Sequence, residues 1–300
     1  MKVRHWVPIL ALAIATLSGA AEAQLYAASA RTMVEGRSDA IGGSLFAVNL
    51  STGSASLIAP IRLNGDAPLG ITGLAAHPTT GVIYAITSPL SRTNPLTLVT
   101  IDPLTGDARM IGALRRTCSD IAFNRAGILF AWLPNSGQVG VVNLETGAVT
   151  AIGTPGPGGP PAGLSIDANG VAYVTPRGAT GTLDTVDIAT GVVVTGPPLT
   201  GAPFPAAINS MTFTPGGLLV AVNSNAGSPA AARLVAINVA TGVVANIGTL
   251  PDDTDGLTFA SNPQQKVSEP TDWRSIALMA LGAIALILGL IGWASGRRKS

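Results

Sequence analysis

The chain contains few of the residues that most enzymes use for catalysis. Its 300 residues include one cysteine and two histidines, and 11% of them are charged. Lysine is absent from residues 24–265, and glutamate occurs there only as Glu35 and Glu145. These absences exclude an internal disulfide and a Schiff-base lysine from this region, and they leave few candidates for a glycosidase-type carboxylate pair.

Charge of one sign and aromatic residues are also scarce. The net charge of +1 gives no electrostatic basis for binding nucleic acid. Residues 24–262 hold a single tryptophan, Trp132, and three tyrosines, Tyr26, Tyr84 and Tyr173, at matching positions of predicted strands. This repetition is typical of core packing and argues against a sugar-binding platform.

No catalytic motif stands out. The chain has no Gly-x-Ser-x-Gly, His-Glu-x-x-His or Walker sequence, and we predict no cofactor and no metal. His77 lies just before Pro78 and is interpreted as a turn residue. Cys118 is interpreted as a small buried residue, with a reactive or intermolecular thiol as the alternative.

Repetition is what the chain has in abundance. A phrase made of Asn or Asp, two variable residues and Thr-Gly occurs at residues 49–53, 102–106, 143–147, 187–191 and 238–242. The Asn or Asp side chain suits capping of a tight turn, and the glycine suits its position of positive φ. The copies are about 40–50 residues apart, which is the spacing of β-propeller blades.

A second repeated segment alternates with the turns and predicts the innermost strand of each blade. Its copies are residues 73–76, 120–123, 163–166, 210–213 and 256–259. With the strands that flank each Thr-Gly turn, every unit supplies four short antiparallel strands. The calcium alternative for the turn Asn and Asp residues is disfavoured because each of them lies alone on its own blade.

The fifth unit is complete only when both ends of the repeat region contribute. Residues 256–260 supply one strand, and residues 25–28, 45–48 and 55–58 supply the other three. A solenoid would not leave such complementary half-units. We therefore predict an all-β, five-bladed propeller over residues 24–262, closed by pairing of the N-terminal and C-terminal strands.

The two ends of the chain have the character of export and membrane signals. Residues 1–23 have the basic start, apolar stretch and Ala21-Glu22-Ala23 end of a secretory signal peptide, which predicts a mature chain beginning at Gln24. Residues 276–294 form an uncharged apolar run that is long enough for a transmembrane helix. Residues 263–275 are a linker, and the basic residues 295–300 are expected to remain cytoplasmic.

Two resemblances to known families accompany these patterns. Residues 172–175 and 185–191 resemble a YVTN-type propeller repeat, and the general pattern is similar to NHL-like and quinoprotein-type propellers. The tail resembles the PEP-CTERM and IPTL-CTERM sorting signals through Glu269, Pro270, Thr271 and Trp273, followed by the apolar run and the basic pair Arg297 and Arg298. This second resemblance implies a Gram-negative bacterium and an exosortase-like processing enzyme; a permanent membrane anchor is the alternative.

The links between blades are the predicted location of any binding site. They gather around one mouth of the central channel and contain or adjoin the polar candidates Arg115, Arg116, Asp120, Asn209, Asp252, Asp253 and Asp255. These residues suit either a site for a small polar or ionic ligand or an ion-pair rim between blades, and the rim is favoured.

Taken together, the sequence predicts an exported, non-enzymatic propeller in the cell envelope. It would act as a binding or extracellular-matrix module, held in the membrane or released to the cell surface after tail processing. An extracellular polysaccharide or an envelope protein is the expected partner. The alternative is a propeller enzyme, a lyase or a quinoprotein-like oxidoreductase, with its site at the channel mouth.

Overall fold

The computed structural model describes residues 23–30, 43–205, 207–225 and 231–261. All of them belong to one compact unit, Ala23–Gln264. Apart from Ala23, the predicted signal peptide lies outside the described residues, as do the sorting motif, the apolar run and the basic tail. Within the described ranges, no helix is long and apolar enough to cross a membrane.

The five Thr-Gly phrases form the turns that the sequence predicts. In the copy that begins at Asn143, its Oδ1 accepts hydrogen bonds from the backbone N–H groups of Glu145 and Thr146, both at 2.9 Å. Gly147 closes the turn with a φ of 76° and donates its N–H to the Asn143 carbonyl at 2.8 Å. The glycines of the other four copies have φ between 71° and 76°, so the turn prediction is confirmed at every copy.

Each turn joins the third and fourth strands of an antiparallel sheet, and the described residues form five sheets. We call the sheets blades. Blade 1 is made of β1 (Ala23–Ser29), β2 (Ser44–Val48), β3 (Ala55–Pro60) and β21 (Thr254–Ser261). Blade 2 is made of β4 (Arg62–Leu63), β5 (Ile71–Ala76), β6 (Ile83–Thr87), β7 (Thr97–Ile101) and β8 (Asp107–Ala113).

The other three blades each have four strands. Blade 3 is made of β9 (Ile121–Phe123), β10 (Leu129–Leu133), β11 (Gln138–Val142) and β12 (Val149–Ala151). Blade 4 is made of β13 (Leu164–Ile166), β14 (Ala172–Val174), β15 (Asp184–Val186) and β16 (Val193–Val194), with a 3₁₀ turn at Gly178–Thr180. Blade 5 is made of β17 (Ala207–Phe213), β18 (Leu219–Asn225), β19 (Ala231–Ile237) and β20 (Val244–Leu250).

Blade 1 confirms the predicted closure. Strand β1 lies between β21 and β2, so the first and last described strands are hydrogen-bonded neighbours. Leu25 pairs with Phe259 and Ala28 pairs with Gly256, which is the pairing that the divided repeat unit requires. Because both edges of β1 are occupied, the ring is closed by backbone hydrogen bonds of the chain itself.

Blade 2 contains a strand that the sequence analysis did not predict. The short β4 runs parallel to the outer strand β8, with Arg62 beside Asp107. Its backbone is held by a 3.1 Å hydrogen bond from the Arg62 N–H to the Gly106 carbonyl. The segment lies between Pro60 and Pro68, so its sequence is typical of a loop. A strand of two residues is also too short to show the alternating pattern that predicts a strand.

The apolar core is divided into five clusters of described residues, one at each blade boundary. Tyr84 of blade 2 packs edge-on against Phe123 of blade 3 with ring centroids 5.3 Å apart. Tyr173 of blade 4 and Phe213 of blade 5 lie 5.5 Å apart. Tyr26 is buried at the next equivalent position. The prediction that the tyrosines pack in the core is confirmed.

The glycine of each Thr-Gly turn also contacts the preceding blade. A Cβ built on Gly147 would lie 2.4 Å from the carbonyl oxygen of Gly112, which belongs to the outer strand of blade 2. Since real Cβ atoms do not approach backbone this closely, the position requires glycine for packing as well as for its φ. The same close approach pairs Gly53 with Gly248, Gly106 with Pro60, Gly191 with Ile152 and Gly242 with Pro198.

Candidate functional site at the channel mouth

The innermost strands begin with β-bulges in at least three blades. The β5–β6 register passes from Ile71 to Gly73, the β17–β18 register from Ile208 to Ser210 and the β21–β1 register from Thr254 to Gly256. The bulged residues are therefore Thr72, Asn209 and Asp255. Bulges often redirect side chains next to functional sites.

Two consecutive positions of the inner strands form two layers around the channel. We call the upper layer the mouth ring; it consists of Thr72, Ser119, Ala162, Asn209 and Asp255. We call the next layer the floor ring; it consists of Gly73, Asp120, Gly163, Ser210 and Gly256.

Asp120 links the blades at the level of the floor ring. Its carboxyl group is fully buried and accepts hydrogen bonds from the Leu164 N–H at 2.9 Å, the Met211 N–H at 3.1 Å and the Ser210 hydroxyl at 3.0 Å. The Ser210 Oγ in turn accepts the Leu257 N–H at 3.1 Å. A Cβ on Gly73 would lie 3.0 Å from Asp120 Oδ1, so all five inner strands meet around this carboxyl.

Burial raises the pKa of the Asp120 carboxyl well above its usual range, although the hydrogen bonds from Leu164, Met211, Ile121 and Ser210 lower it in part. No positively charged side chain contributes to this balance. Asp120 was a candidate ligand-binding residue. The structure places it in the floor ring beneath the mouth, where its hydrogen-bonding capacity is used to join blades 3, 4 and 5.

Above the floor ring, the mouth contains a cavity of about 340 Å³. Its walls include Ala30, Pro89, Leu90, Pro134 and Pro161, and its polar lining includes Thr72, Ser119, Asn209, Ser224, Asp253 and Asp255. Mainly apolar walls with a few converging polar groups are typical of small-molecule sites.

The polar side chains of the mouth ring differ in the number of hydrogen bonds that they make. The Ser119 hydroxyl donates to the Ala162 carbonyl at 2.8 Å and accepts the Ala162 N–H at 3.1 Å. The Asn209 Nδ2 donates to the Ser224 hydroxyl at 2.7 Å. Thr72 is 8% exposed, and its Oγ1 has no hydrogen-bond partner.

Cys118 also lines this cavity, but as an unreactive group. The side chain is 2% exposed, and its thiol donates to the Arg116 carbonyl at 3.7 Å. Burial raises the pKa of the thiol to about 12, and the nearby Arg116 lowers it only in part. Since the thiolate is the nucleophile, the structure favours the interpretation of Cys118 as a small buried residue.

The structure brings together only some of the predicted site residues. Asn209, Asp253 and Asp255 line the cavity, whereas Asp252 does not. Arg115 and Arg116 are exposed in the link between blades 2 and 3 and also lie outside the lining.

Thr72 and Ser224 are lining residues that the sequence analysis did not single out. Position could have revealed Thr72, because it precedes Gly73 as Asn209 precedes Ser210 in the repeat.

The opposite end of the channel has a second cavity of about 430 Å³. It is lined by the far ends of the inner strands, including Phe213 and Phe259. His77 lies at this end, where its Nδ1 accepts the N–H groups of Thr79 and Thr80, both at 3.2 Å. This confirms its predicted role as a turn residue. No group of three or more His, Cys, Asp or Glu that could hold a metal occurs among the described residues.

Comparisons with known proteins reveal similarity of fold only. No family model matches the sequence, and no curated protein matches it significantly. A chain in the crystal structure of a nidogen/laminin complex matches with a TM-score of 0.52 and 13% identity, over 80% of this chain and 98% of that chain. This chain is a β-propeller repeat protein.

Two further solved structures match more distantly. A Bacteroides caccae protein of unknown function has a TM-score of 0.49 and 11% identity, over 80% of this propeller chain and 100% of that protein. Hydrazine synthase from Kuenenia stuttgartiensis has a TM-score of 0.40 and 20% identity, over 58% of this chain and 47% of that one.

Proposed function

We propose that this protein is an exported, envelope-associated propeller that binds a small molecule at the channel mouth without transforming it. The observation that supports this proposal most directly is the cavity of about 340 Å³, which combines apolar walls with converging polar side chains. The floor ring lies beneath it, so a ligand enters and leaves by the mouth.

The residues best suited to acid–base or nucleophilic chemistry are committed to other roles. Asp120 is bound by donors from blades 4 and 5, His77 caps a turn at the other end, and Cys118 carries a protonated thiol. These assignments support a binding module over the lyase or oxidoreductase alternative.

Export and attachment are proposed from the two ends of the chain. Cleavage after Ala23 would leave residues 24–29 to form the closing strand, with the loss of one pair, Ala23 with Ser261. The sorting motif around Glu269 and Pro270, the apolar run 276–294 and the basic tail support delivery to the envelope and processing by an exosortase-like enzyme.

A screen of small molecules by thermal shift on the full-length protein tests the binding function. We expect ligands that raise the unfolding midpoint of the parent protein, because binding to the folded state stabilises it. Pro161→Trp should abolish these shifts by filling the mouth. The matched control, Pro157→Trp, places the same bulk on an exposed residue of the same link that does not line the cavity. Shifts that survive in Pro161→Trp would place binding elsewhere.

Mass spectrometry of the protein from its native host tests the envelope assignment. We expect a mature N-terminus at Gln24 and a processed C-terminus. Replacing Glu269, Pro270 and Thr271 with alanine should leave membrane insertion intact and block processing. An intact C-terminus through Ser300 in the mature parent protein would leave a simple membrane anchor.

A further inference from the structure

Two asparagines of the chain are followed directly by glycine, at Asn64-Gly65 and Asn169-Gly170. Asparagine is chemically labile in this setting, because the backbone nitrogen of the next residue can attack the side-chain amide and glycine has no side chain to shield that nitrogen. The first pair lies in the link between blades 1 and 2, and the second lies in the turn between β13 and β14. All four residues are exposed, so access of water does not distinguish the two pairs.

The Asn169-Gly170 pair is held by a set of turn hydrogen bonds. The Gly170 N–H, whose nitrogen would have to attack, donates to the Asp167 carbonyl at 3.0 Å. The Asp167 Oδ1 accepts the N–H groups of Asn169 at 2.9 Å and Val171 at 2.8 Å. The Asp167 N–H donates to the Val171 carbonyl at 2.9 Å. The attacking nitrogen is therefore released only when this turn opens.

The Asn64-Gly65 pair has much weaker restraints. The φ angles of 53° and 77° at these two residues, with a 2.9 Å hydrogen bond from the Asp66 N–H to the Leu63 carbonyl, are typical of a type I′ turn. Within the described ranges, neither the Gly65 N–H nor the Asn64 side chain makes a hydrogen bond. Nothing lies within 4 Å of a Cβ built on Gly65, so no neighbour obstructs ring closure.

Little structure has to change before Gly65 can attack. The reaction needs rotation about the Cα–C bond of Asn64, which breaks the Leu63–Asp66 hydrogen bond of the turn. The rotation also disturbs one side-chain contact, from Arg62 Nη1 to the Asp66 carbonyl at 2.6 Å. Local opening of so small a segment is far less costly than opening of a turn whose every donor is engaged.

We propose that Asn64 is a site of spontaneous modification in the folded protein, at which ammonia is lost and water is taken up, and that Asn169 is protected from the same reaction. Once base has removed the Gly65 amide proton, the nitrogen attacks Asn64 Cγ. The new N–Cγ bond closes a succinimide ring, the Cγ–Nδ2 bond breaks, and Nδ2 leaves as ammonia with a proton from the solvent. Water then opens the ring at either carbonyl and gives aspartate or isoaspartate.

The products change both the charge and the backbone of this link. Either product places a carboxylate beside Asp66, where the parent protein has a neutral amide. Isoaspartate also adds one carbon to the backbone directly after β4, the strand that runs beside the outer strand of blade 2.

Peptide mass mapping of the full-length protein tests the proposal. The protein is aged in warm, mildly alkaline buffer made with water that carries heavy oxygen, so that only conversions during ageing acquire the label. The tryptic peptide of residues 63–92 contains Asn64 as its single asparagine, and fragmentation of the peptide of residues 126–177 locates Asn169. We expect Asn64 to be converted about tenfold faster than Asn169, because opening of the turn precedes reaction at Asn169. Equal rates, or faster conversion of Asn169, would overturn the inference.

Ageing of the unfolded chain in guanidinium chloride separates the effect of the fold from that of the sequence. Without the turns, the two Asn-Gly pairs should react at rates within about twofold of each other. If Asn64 keeps the same advantage over Asn169 in the unfolded chain, the fold is not the cause and the argument from the turn hydrogen bonds is wrong.

A pair of matched variants identifies the modified residue through a second readout. Asn64→Gly removes the reactive amide and suits the positive φ of this position. Aged Asn64→Gly should therefore lose the labelling by protein isoaspartate methyltransferase that the aged parent shows, whereas aged Asn169→Gly should keep it. Labelling that persists in Asn64→Gly, or that disappears in Asn169→Gly, would place the modification elsewhere and overturn the assignment.

Discussion

The Thr-Gly turns and the mouth ring are both repeated five times, yet they differ in how far the repetition extends to the side chains. Every turn has a threonine, a glycine of positive φ, and a capping Asn or Asp whose Oδ1 accepts the backbone N–H two residues further on. The mouth ring has a different residue in every blade: Thr72, Ser119, Ala162, Asn209 and Asp255. The turns serve the fold, which is alike in every blade, whereas a site facing one ligand needs different groups on its different sides.

The largest loss of stability is expected for Gly147→Ala, which changes the glycine of a Thr-Gly turn. The new Cβ would meet the backbone of Gly112 at 2.4 Å in a residue with a φ of 76°. Backbone strain and overpacking together should lower the free energy of unfolding by about 3 kcal/mol or more. Urea denaturation followed by circular dichroism measures this.

Gly170→Ala is the matched control for that variant. Gly170 has a φ of 87°, and nothing lies within 4 Å of its Cβ position. Only the cost of a left-handed conformation applies there, about 1–2 kcal/mol. Equal losses in the two variants would show that the contact with the preceding blade does not restrict Gly147.

A smaller effect, with a distinctive pH dependence, is expected for Asp120→Asn in the floor ring. The amide oxygen can accept the Leu164 and Met211 N–H groups, which share one carboxylate oxygen, but the amide N–H groups would then replace the oxygen that accepts the Ser210 hydroxyl, at a cost of about 1–3 kcal/mol. In the parent, the raised pKa keeps a proton on the folded protein that the unfolded chain loses above about pH 4. The contribution of this carboxyl to stability is therefore complete below that pH and decreases as the pH rises toward the folded-state pKa.

Urea denaturation of Asp120→Asn and the parent across the acidic range measures this dependence. The difference in the free energy of unfolding between parent and variant should shrink with rising pH, by at most about 1.4 kcal/mol per pH unit. A difference that grows with rising pH would show that the buried carboxyl is ionised and that its hydrogen bonds outweigh desolvation.

The smallest effect is expected for Asn238→Asp in a Thr-Gly turn. Asp187 makes the same hydrogen bonds in blade 4, from the N–H groups of Ala189 and Thr190, that Asn238 receives in blade 5 from Ala240 and Thr241. The unfolding midpoint at neutral pH should therefore remain within error of the parent. A clear shift would show that the turns are less interchangeable than their geometry indicates.

Much of the fold could be predicted from the sequence. The cap of Asn143 and the positive φ of Gly147 were predictable because turn residues act locally. The pairing of the strand at residues 25–28 with the strand at residues 256–260 was predictable because the fifth repeat unit is complete only when both ends contribute. The contact of Gly147 with Gly112 was not, since nothing local specifies which atoms of a neighbouring blade approach a turn.

The site was predictable only in part. The links between blades led to Asn209, Asp253 and Asp255, because loop position follows from topology. Thr72 was missed because a single threonine before a glycine carries no chemical signal of its own, and only its position in the repeat, equivalent to that of Asn209, could have indicated it.

The positions of the two ends of the propeller have a consequence for access to the cavity. Strand β1 begins at Ala23, which is paired with Ser261 at the end of β21. Ser261 lies at the far end of the inner strand β21 and Ala23 lies beside it at the start of β1, whereas Thr254 and Ala30, at the other ends of these strands, line the cavity. Ala23 and Ser261 therefore do not border the opening of the cavity, so a change at this end of the closing strands would leave the lining of the cavity intact.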